Sequence, residues 1–191
     1  MTKPWETLAR TTVLDRGKFL RVELHRIRLP DGRVIDDWPW VITPDFAIAI
    51  AVTDDDRYLC FRQTKYSVEG LSLAPVGGYV DPGEPALEAA QRELFEETGY
   101  EGGRWDHLGS YPVDGNRGAG VAHLYLARGV HLTGVPRSDD LESQELLHLT
   151  RSEMSQALDS GEFRVLPWAA AVALALRHTG DGPATNCQPG S

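Results

Sequence analysis

The amino-acid sequence predicts an α/β sandwich with a mixed sheet, preceded by a small antiparallel β appendage. Apolar, strand-like runs lie before and after one amphipathic helical stretch at 85–98, and a second helical stretch lies near the end of the chain. This order of elements favours helices packed on a sheet. Before residue 44 the chain shows short alternating runs joined by turn residues, which is typical of antiparallel strands.

Composition limits the class of protein. The 191 residues suffice for one ordinary domain with a small addition, and the net charge of −9 argues against general binding to nucleic acid or to an anionic membrane. The two cysteines, Cys60 and Cys187, do not suggest a disulfide framework. The N-terminus lacks the apolar core of a signal peptide, and the longest apolar run is too short to cross a bilayer. We therefore expect a soluble, cytoplasmic protein.

The appendage is expected at residues 1–43. Its run at 19–29 alternates in part, so that apolar residues share one side of a strand and polar residues the other: Leu20, Val22 and Leu24 against Arg21, Glu23 and His25. A proline-glycine turn leads to a returning strand that carries Trp38 and Trp40, which face the same way in an extended chain. A sheet this small buries little surface alone, so it must pack on the main domain or on a second copy of the chain.

The main domain is expected at 44–179. Its strands are predicted, in chain order, at 47–53, 58–63, 73–76, 105–113, 121–127 and 146–149, with a loop between the second and third. Thr150 followed by Glu153 predicts a capping box that opens a short helix, and Pro167 opens the last helix, at 167–178. Residues 180–191 are rich in small and turn-forming residues, which predicts a disordered tail.

The helix at 85–98 carries three acidic residues on one face. Glu93, Glu96 and Glu97 stand at i, i+3 and i+4, so they share a surface about one turn long. Like charges this close destabilise a helix unless a cation relieves the repulsion. Carboxylate oxygens suit Mg²⁺ or Mn²⁺, although acidic clusters on helices also occur as solvated surface.

The three acids belong to a longer pattern. Residues 78–100 read G-x5-E-x7-R-E-L-x-E-E-x-G-Y, through Gly78, Glu84, Arg92, Glu93, Leu94, Glu96, Glu97 and Gly99. This stretch resembles the Nudix box, with Tyr100 standing where an aliphatic residue is commoner. The resemblance implies the Nudix α/β/α fold and the hydrolysis of a nucleoside diphosphate linked to another moiety.

The resemblance also implies roles for the residues of the box. The metal would be held by acids and one backbone carbonyl: Glu93 and Glu97 as main ligands, Glu96 beside them, and the carbonyl of Gly77 or Gly78. Arg92 would hold the acids in place, with Glu84 as its partner. Bound cations would bridge two phosphates and lower the pKa of a water that attacks the pyrophosphate.

A general base is expected on a mobile loop after the box. Glu142 is the first choice, chiefly because the ADP-ribose pyrophosphatase branch of the Nudix family often carries a catalytic glutamate in a corresponding late loop. Glu145 is the second choice, and Asp139 and Asp140 follow. Each of these acids also fits an ordinary solvated loop charge.

Residues from about 11 to 154 resemble that ADP-ribose pyrophosphatase branch. The shared features are the appendage, the Arg62-Gln63 strand end and the segment 75–78 before the box. In the branch the appendage is exchanged between two subunits and helps to form the nucleotide pocket, which implies a homodimer. The implied substrate-binding residues are Arg62, Lys65, Gly78, and Trp38 or Trp40 stacked on a base. Each tryptophan also fits a plain packing or dimer contact.

Three positions depart from the branch. Leu73 stands where glutamate is common, a glycine-rich loop at 116–120 replaces a proline-glycine pair, and Gln63-Thr64-Lys65 replaces Q-Y-R. Lys65 keeps the charge but lacks the guanidinium fork. These changes leave the pyrophosphate chemistry intact, and the substrate stays open between ADP-ribose, a nucleoside diphosphate sugar, a dinucleotide such as NADH and a dinucleoside polyphosphate.

Two other classes of function remain as alternatives. A non-catalytic nucleotide sensor on the same fold would be supported by the loss of a box glutamate, and none is lost. A structural dimer that uses only the strand-rich N-terminus predicts no metal-dependent turnover. The expected partners are a nucleotide small molecule and a second copy of the chain, without nucleic acid or membrane.

Overall fold

The computed structural model describes residues 4–137 and 144–178 of the chain. These residues divide into two compact units. The first comprises 4–46 and Tyr111–Ala122, and the second comprises Ala47–Ser110 with 123–137 and 144–178. The predicted tail at 180–191 lies outside the described residues.

The first unit contains a three-stranded antiparallel sheet, which confirms the predicted appendage. Its strands are β1 (Glu6–Asp15), β2 (Arg21–Arg28) and β3 (Val34–Ile42), in the order β1-β2-β3. The turn between β2 and β3 contains Gly32 at a φ of 91°, a conformation that glycine adopts without strain. Asp31 accepts a hydrogen bond of 3.0 Å from the Arg33 backbone N–H, which stabilises the same turn.

The alternation predicted along β2 is present, but the polar side of the strand is the buried one. Glu23 and His25 are 7% and 5% exposed, whereas Leu24 is 38% exposed. The two buried groups satisfy each other, since His25 Nε2 lies 2.8 Å from Glu23 Oε2, and Arg21 pairs with the same carboxylate at 3.0 Å. Burial of charged groups is tolerated when they are paired in this way. The hydrogen bond from His25 lowers the pKa of Glu23.

The two tryptophans of β3 contact the segment Tyr111–Ala122 of the same unit. Trp38 Nε1 donates to the Asn116 carbonyl at 3.3 Å, and the Arg117 guanidinium lies over the Trp38 ring at 5.1 Å. A Cβ added to Gly118 would lie 2.5 Å from Trp40 Nε1. The glycine-rich loop therefore packs closely on both indole rings, and glycine at 118 is required by that packing.

The second unit is built on a seven-stranded sheet with three helices, which confirms the predicted α/β class and mixed sheet. The strands are β4 (Phe46–Thr53), β5 (Tyr58–Lys65), β6 (Val68–Ala74), β7 (Val76–Tyr79), β8 (Tyr100–Pro112), β9 (Val121–Leu132) and β10 (Gln144–Leu149). Their order is β10-β5-β4-β9-β8, with β6 paired to β5 and β7 paired to β4. The helices are α1 (Ala86–Thr98), α2 (Arg151–Asp159) and α3 (Leu166–Arg177).

The prediction of a loop between β5 and residue 73 was wrong, because β6 occupies most of that segment. Gly70 interrupts the strand at a φ of 74°, and its sequence lacks the usual strand alternation. Pairing with β5 and a hydrogen bond of 2.9 Å from Leu73 N to the Glu162 carbonyl stabilise it instead. The pairing with β5 is a hairpin between neighbouring segments, and the strand was missed because Gly70 interrupts its alternation.

Helices cover both faces of the sheet at β4. The strand is buried from residue 47 onward, and its residues alternate between small and large side chains: alanine at 47, 49 and 51, and Ile48, Ile50 and Val52. Ala47 packs against Ala89 and Ala90 of α1. On the opposite face Val52 and Ala175 of α3 line one cavity. The sandwich arrangement that the sequence predicts is therefore present.

The helix ends follow the predicted signals with one adjustment. Pro85 is the residue that precedes α1, not a member of its first turn. Gly99 ends α1 in the left-handed conformation and donates to the Phe95 carbonyl at 2.8 Å. The capping box between Thr150 and Glu153 is present at the start of α2. Among the helices of residues 4–137 and 144–178, none has the length and apolar character needed to cross a membrane.

Candidate active site

Two glycines on β7 let the backbone approach α1 and β4 closely. A Cβ added to Gly77 would lie 2.4 Å from the Ala47 carbonyl oxygen, and one added to Gly78 would lie 2.3 Å from the Glu93 carboxyl carbon. No side chain larger than hydrogen fits at either position without displacing these neighbours. The Glu93 carboxylate therefore packs directly on the Gly78 backbone.

Arg92 is the centre of the polar network on α1. Its Nε and Nη2 atoms donate to the two oxygens of Glu84, at 2.9 and 3.0 Å. Its Nη1 atom donates to Glu93 at 2.7 Å and to Glu96 at 3.0 Å, and Nη2 also donates to the Tyr79 carbonyl at 3.1 Å. These carboxylates raise the pKa of Arg92, with Glu84 as the largest contributor.

Glu84 connects this network to the turn that precedes α1. The Asp81 backbone N–H donates to Glu84 Oε2 at 3.0 Å, and the Glu84 N–H donates back to the Asp81 carbonyl at 2.9 Å. Gly83 completes the turn at a φ of 85°. The hydrogen bonds from Arg92 lower the pKa of Glu84, so this carboxyl is ionised at neutral pH.

The three acids of the helical face differ in their surroundings. Glu97 accepts a hydrogen bond of 3.1 Å from the Gly77 backbone N–H. The Glu93 side chain is 17% exposed, whereas the Glu96 side chain is 47% exposed. Glu93 and Glu97 therefore both lie against β7, on the two consecutive glycines, and Glu96 is the more open to solvent.

The donor chemistry of this face fits a hard divalent cation. Its side-chain donors are carboxylate oxygens, and the two glycines present backbone without side-chain obstruction. Oxygen-only sets of this kind suit Mg²⁺ or Mn²⁺. Within residues 4–137 and 144–178, no three His, Cys, Asp or Glu side chains converge to metal-binding distance. The acids are held instead by Arg92 and the Gly77 N–H.

The other predicted site residues lie in several places. Arg62 on β5 forms an ion pair of 3.0 Å with Glu145 on β10, a contact that the sequence did not predict. Lys65 is the last residue of β5, opposite Val68. Trp38 and Trp40 belong to the first unit. The first-choice base Glu142, with Asp139 and Asp140, lies outside the described residues.

The segment that leads toward Glu142 is fixed at both of its described ends. The Arg137 N–H donates to the Glu96 carbonyl at 2.7 Å, and the Gly134 N–H donates to the Gly99 carbonyl at 3.1 Å. On the far side Gln144 begins β10, where it pairs with Gln63. The chain thus leaves the C-terminal end of α1 at residue 137 and returns at the edge of the sheet at residue 144.

Comparison with known families gives two matches. Residues 43–169 match the NUDIX domain, and residues 5–41 match the nucleoside diphosphate sugar hydrolase N-terminal domain. The two matched segments are adjacent and together span most of the chain.

Several similar proteins are named as hydrolases of nucleotide compounds, and one, of Bacillus methanolicus, is named a methanol dehydrogenase activator and is 26% identical over 80% of this chain and 81% of that protein. The chain is 30% identical to a CMP-5'-(N-acetyl-N-hydroxy-3-aminopropyl)phosphonate hydrolase of Streptomyces rubellomurinus, over 78% of this chain and 71% of that protein. It is 23% identical to an ADP-ribose pyrophosphatase of Bacillus subtilis, over 82% and 84% of the two chains. The crystal structure of an ADP compounds hydrolase shares the fold with a TM-score of 0.75 at 19% identity, covering 91% of this chain and 93% of the other.

Replacement of Glu84 by glutamine is expected to lower the free energy of unfolding by an amount that depends on pH. Because Arg92 lowers the folded-state pKa of Glu84, the pair stabilises the fold above the unfolded pKa of about 4.3 and is lost as the pH falls through the folded value. Glu84→Gln should reduce the free energy of unfolding by about 1 kcal/mol at pH 7, allowing for partial exposure. The difference in the free energy of unfolding between the variant and the unmodified protein should disappear as the pH falls below the folded-state pKa of Glu84.

Denaturant unfolding at pH values from neutral to acid measures this gap. Glu69→Gln provides the matched control, because it makes the same change at an exposed glutamate on β6. It should leave the free energy of unfolding unchanged. A gap for Glu84→Gln that stays constant across the acid range would contradict the assignment.

Proposed function

The chain belongs to the Nudix hydrolase family, and on that premise we propose that it hydrolyses the pyrophosphate bond of ADP-ribose or of a nucleoside diphosphate sugar with Mg²⁺ or Mn²⁺. The Arg92 network is the observation that carries the proposal, because one guanidinium holds two of the three acids of the helical face beside the glycines of β7. The two family matches and the named relatives support the substrate class.

The cation is assigned to the helical face of α1. Glu93 and Glu97 would hold the cation as main ligands, with Glu96 beside them, and the carbonyl of Gly77 or Gly78 would be a further ligand. A divalent cation at such a site neutralises phosphate charge and lowers the pKa of a bound water. Arg92 is a positioning residue, since it contacts the acids and the turn and fixes their direction.

The reaction needs only water as the second reactant. The water oxygen forms a bond to one phosphorus, and the bond from that phosphorus to the bridging oxygen breaks. The bridging oxygen leaves with the other phosphate, and the water proton passes to a base. The two products are phosphate monoesters.

We assign the base to Glu142. The anchored ends of its segment support this choice, because residue 137 is bonded to the backbone of Glu96, one of the proposed metal ligands. Five residues of chain reach at most about 17 Å, which is enough to bring a side chain over the face of α1. Glu145 is the second candidate, and its carboxylate pairs with Arg62 in this structure.

Arg62, Lys65 and Gly78 are the proposed phosphate-contacting residues of the substrate site. Arg62 and Glu145 are both exposed, at 44% and 62% of their side chains, so their ion pair is screened by water and contributes little. A phosphate that approaches Arg62 can therefore replace Glu145 at small cost. Gly78 offers backbone without a side chain.

We further propose that the protein is a homodimer formed through the first unit, and that Trp38 or Trp40 stacks on the substrate base. Several large apolar side chains of the first unit are exposed: Val13, Leu24 and Val34 on the sheet, and Trp5 and Phe19 outside its strands. Exposed apolar residues on one small unit are typical of a protein interface.

The proposed domain boundaries are 1–43 for the appendage and 44–179 for the hydrolase domain, with a tail after them; the two family matches support the division. A cytoplasmic location is also proposed, supported by the free thiol of Cys60, since disulfides are typical of oxidising compartments. Cell fractionation tests the location.

Glu97→Gln should abolish most of the turnover. Substrate panels should contain ADP-ribose, nucleoside diphosphate sugars, NADH and dinucleoside polyphosphates, with Mg²⁺ or Mn²⁺, and released monoester should be detected with a coupled phosphatase. A lost metal ligand should lower kcat at least about 100-fold. Glu88→Gln makes the same change at an exposed position of the same helix and should leave kcat within about twofold. Nucleotide binding without turnover of any panel member would favour a sensor instead.

Glu142→Gln should identify the base. We expect kcat to fall by about 10²–10⁴, with a small change in KM and loss of the acid limb of the pH-rate profile. Glu145→Gln makes the same change at the second candidate, where it removes the ion pair with Arg62, and should retain both kcat and the pH profile. The reverse pattern would transfer the role to Glu145.

Leu24→Lys should disrupt the dimer. The lysine places a charge among exposed apolar residues of the first unit, which opposes their burial in an interface. Light scattering on the full chain measures the mass of the particle. Val135→Lys makes the same change at an exposed position of the second unit and should remain dimeric. A monomeric unmodified chain, or equal behaviour of the two variants, would rule out this interface.

A further inference from the structure

The cavity that Val52 and Ala175 line lies within the second unit, away from the proposed active site. Its volume is about 520 Å³, within the range of small-molecule sites. One wall is aliphatic and is formed by Val52, Leu126 and Ala175. Val52 is five residues along β4 from Ala47, and the Ala47 carbonyl lies against Gly77, immediately before the box. A strand rises about 3.3 Å per residue. The cavity is therefore about 17 Å from the box along that strand.

Arg151 contributes a positive charge to this cavity. It is the first residue of α2, where the Thr150 capping box fixes the start of the helix. Its guanidinium donates to the Tyr58 hydroxyl at 3.1 Å and to the Leu176 carbonyl, both of which are neutral acceptors. Among the residues that the structure describes, no carboxylate forms an ion pair with it.

Two further basic groups in the cavity wall share a single acid. Asp106 on β8 pairs with Arg128, lies 3.5 Å from His178 Nε2, and also accepts from Arg104 at 3.2 Å. One carboxylate thus faces three basic side chains. Asp56, at the tip of the β4–β5 turn, is the acidic residue of the cavity wall. The wall therefore combines two guanidinium groups and an imidazole with one acid of its own.

We propose that this cavity is a second ligand site, which binds a small phosphate monoester. The guanidinium groups of Arg151 and Arg128 match phosphate oxygens in charge and in fork geometry. The aliphatic wall covers the organic part of the ligand, and the Asp56 carboxylate accepts from a ligand hydroxyl. Binding here does not require the proposed hydrolysis, although both products of that reaction are phosphate monoesters.

Calorimetric titration of the full chain with ribose 5-phosphate tests the proposal. Chelator in the buffer removes divalent cations, through which the box would hold phosphate. Inorganic phosphate, titrated separately, shows whether the organic part adds affinity. Arg151→Gln should weaken binding about tenfold or more, since it removes a charged hydrogen-bond donor. Arg177→Gln removes the same charge from an exposed position next to His178 and should change the affinity by less than about twofold.

The affinities of the two variants for ribose 5-phosphate decide whether the cavity is a ligand site. Binding that is lost in Arg151→Gln and kept in Arg177→Gln supports the site. Absence of binding up to about 10 mM, or equal weakening in both variants, overturns it. If Arg151→Gln does not fold, as judged by circular dichroism, Arg128→Gln takes its place with the same expectation. Hydrolysis by the Arg151→Gln protein should match that of the unmodified chain, so failure of this proposal is distinguishable from failure of the proposed function.

Discussion

The site depends on the hydrogen bonds of one guanidinium. Arg92 joins the turn at 81–84, the carbonyl of Tyr79 and two acids of its own helix, so a single planar group sets the spacing between α1 and the chain that precedes it. A lysine at this position could not form the same hydrogen bonds, because the geometry requires several donors at fixed angles, which a guanidinium has and an ammonium group lacks. The acids would otherwise repel one another on one turn of helix. Their arrangement is therefore a property of the network and not of the helix alone.

Close packing of small residues brings that network to the sheet. Ala47 of β4 packs against Ala89 and Ala90 of α1, and Gly77 and Gly78 of β7 lie beside them. Small side chains on both partners reduce the separation of helix and strand. The short distance allows a backbone N–H of β7 to reach the carboxylate of Glu97. The small residues and the acids are thus parts of one arrangement.

The sequence predicted the features that depend on residues near one another in the chain. The helix, its acidic face and the partnership of Arg92 with Glu84 follow from spacing and from the family pattern, and the layered fold follows from the order of elements. The strand β6 was missed although it pairs with the strand just before it, because Gly70 interrupts its alternation. The burial of Glu23 and His25 and the contact of Arg62 with Glu145 could not be predicted in this way. Each depends on which distant segment becomes a neighbour. The alternation of an amphipathic strand does not determine which of its two faces is buried by the rest of the protein.

The two fixed ends of the segment between residues 137 and 144 have a consequence for the diversity of such proteins. One end is bonded to the last turn of α1 and the other is paired in the sheet, so the fold does not depend on what lies between them. Lengthening a loop between fixed ends costs little, because closure entropy grows only with the logarithm of its length. The length of this segment can therefore change at small cost while the box stays unchanged, as long as the proposed base is kept. A lineage can in this way change the shape of the space above the acids without rebuilding the scaffold.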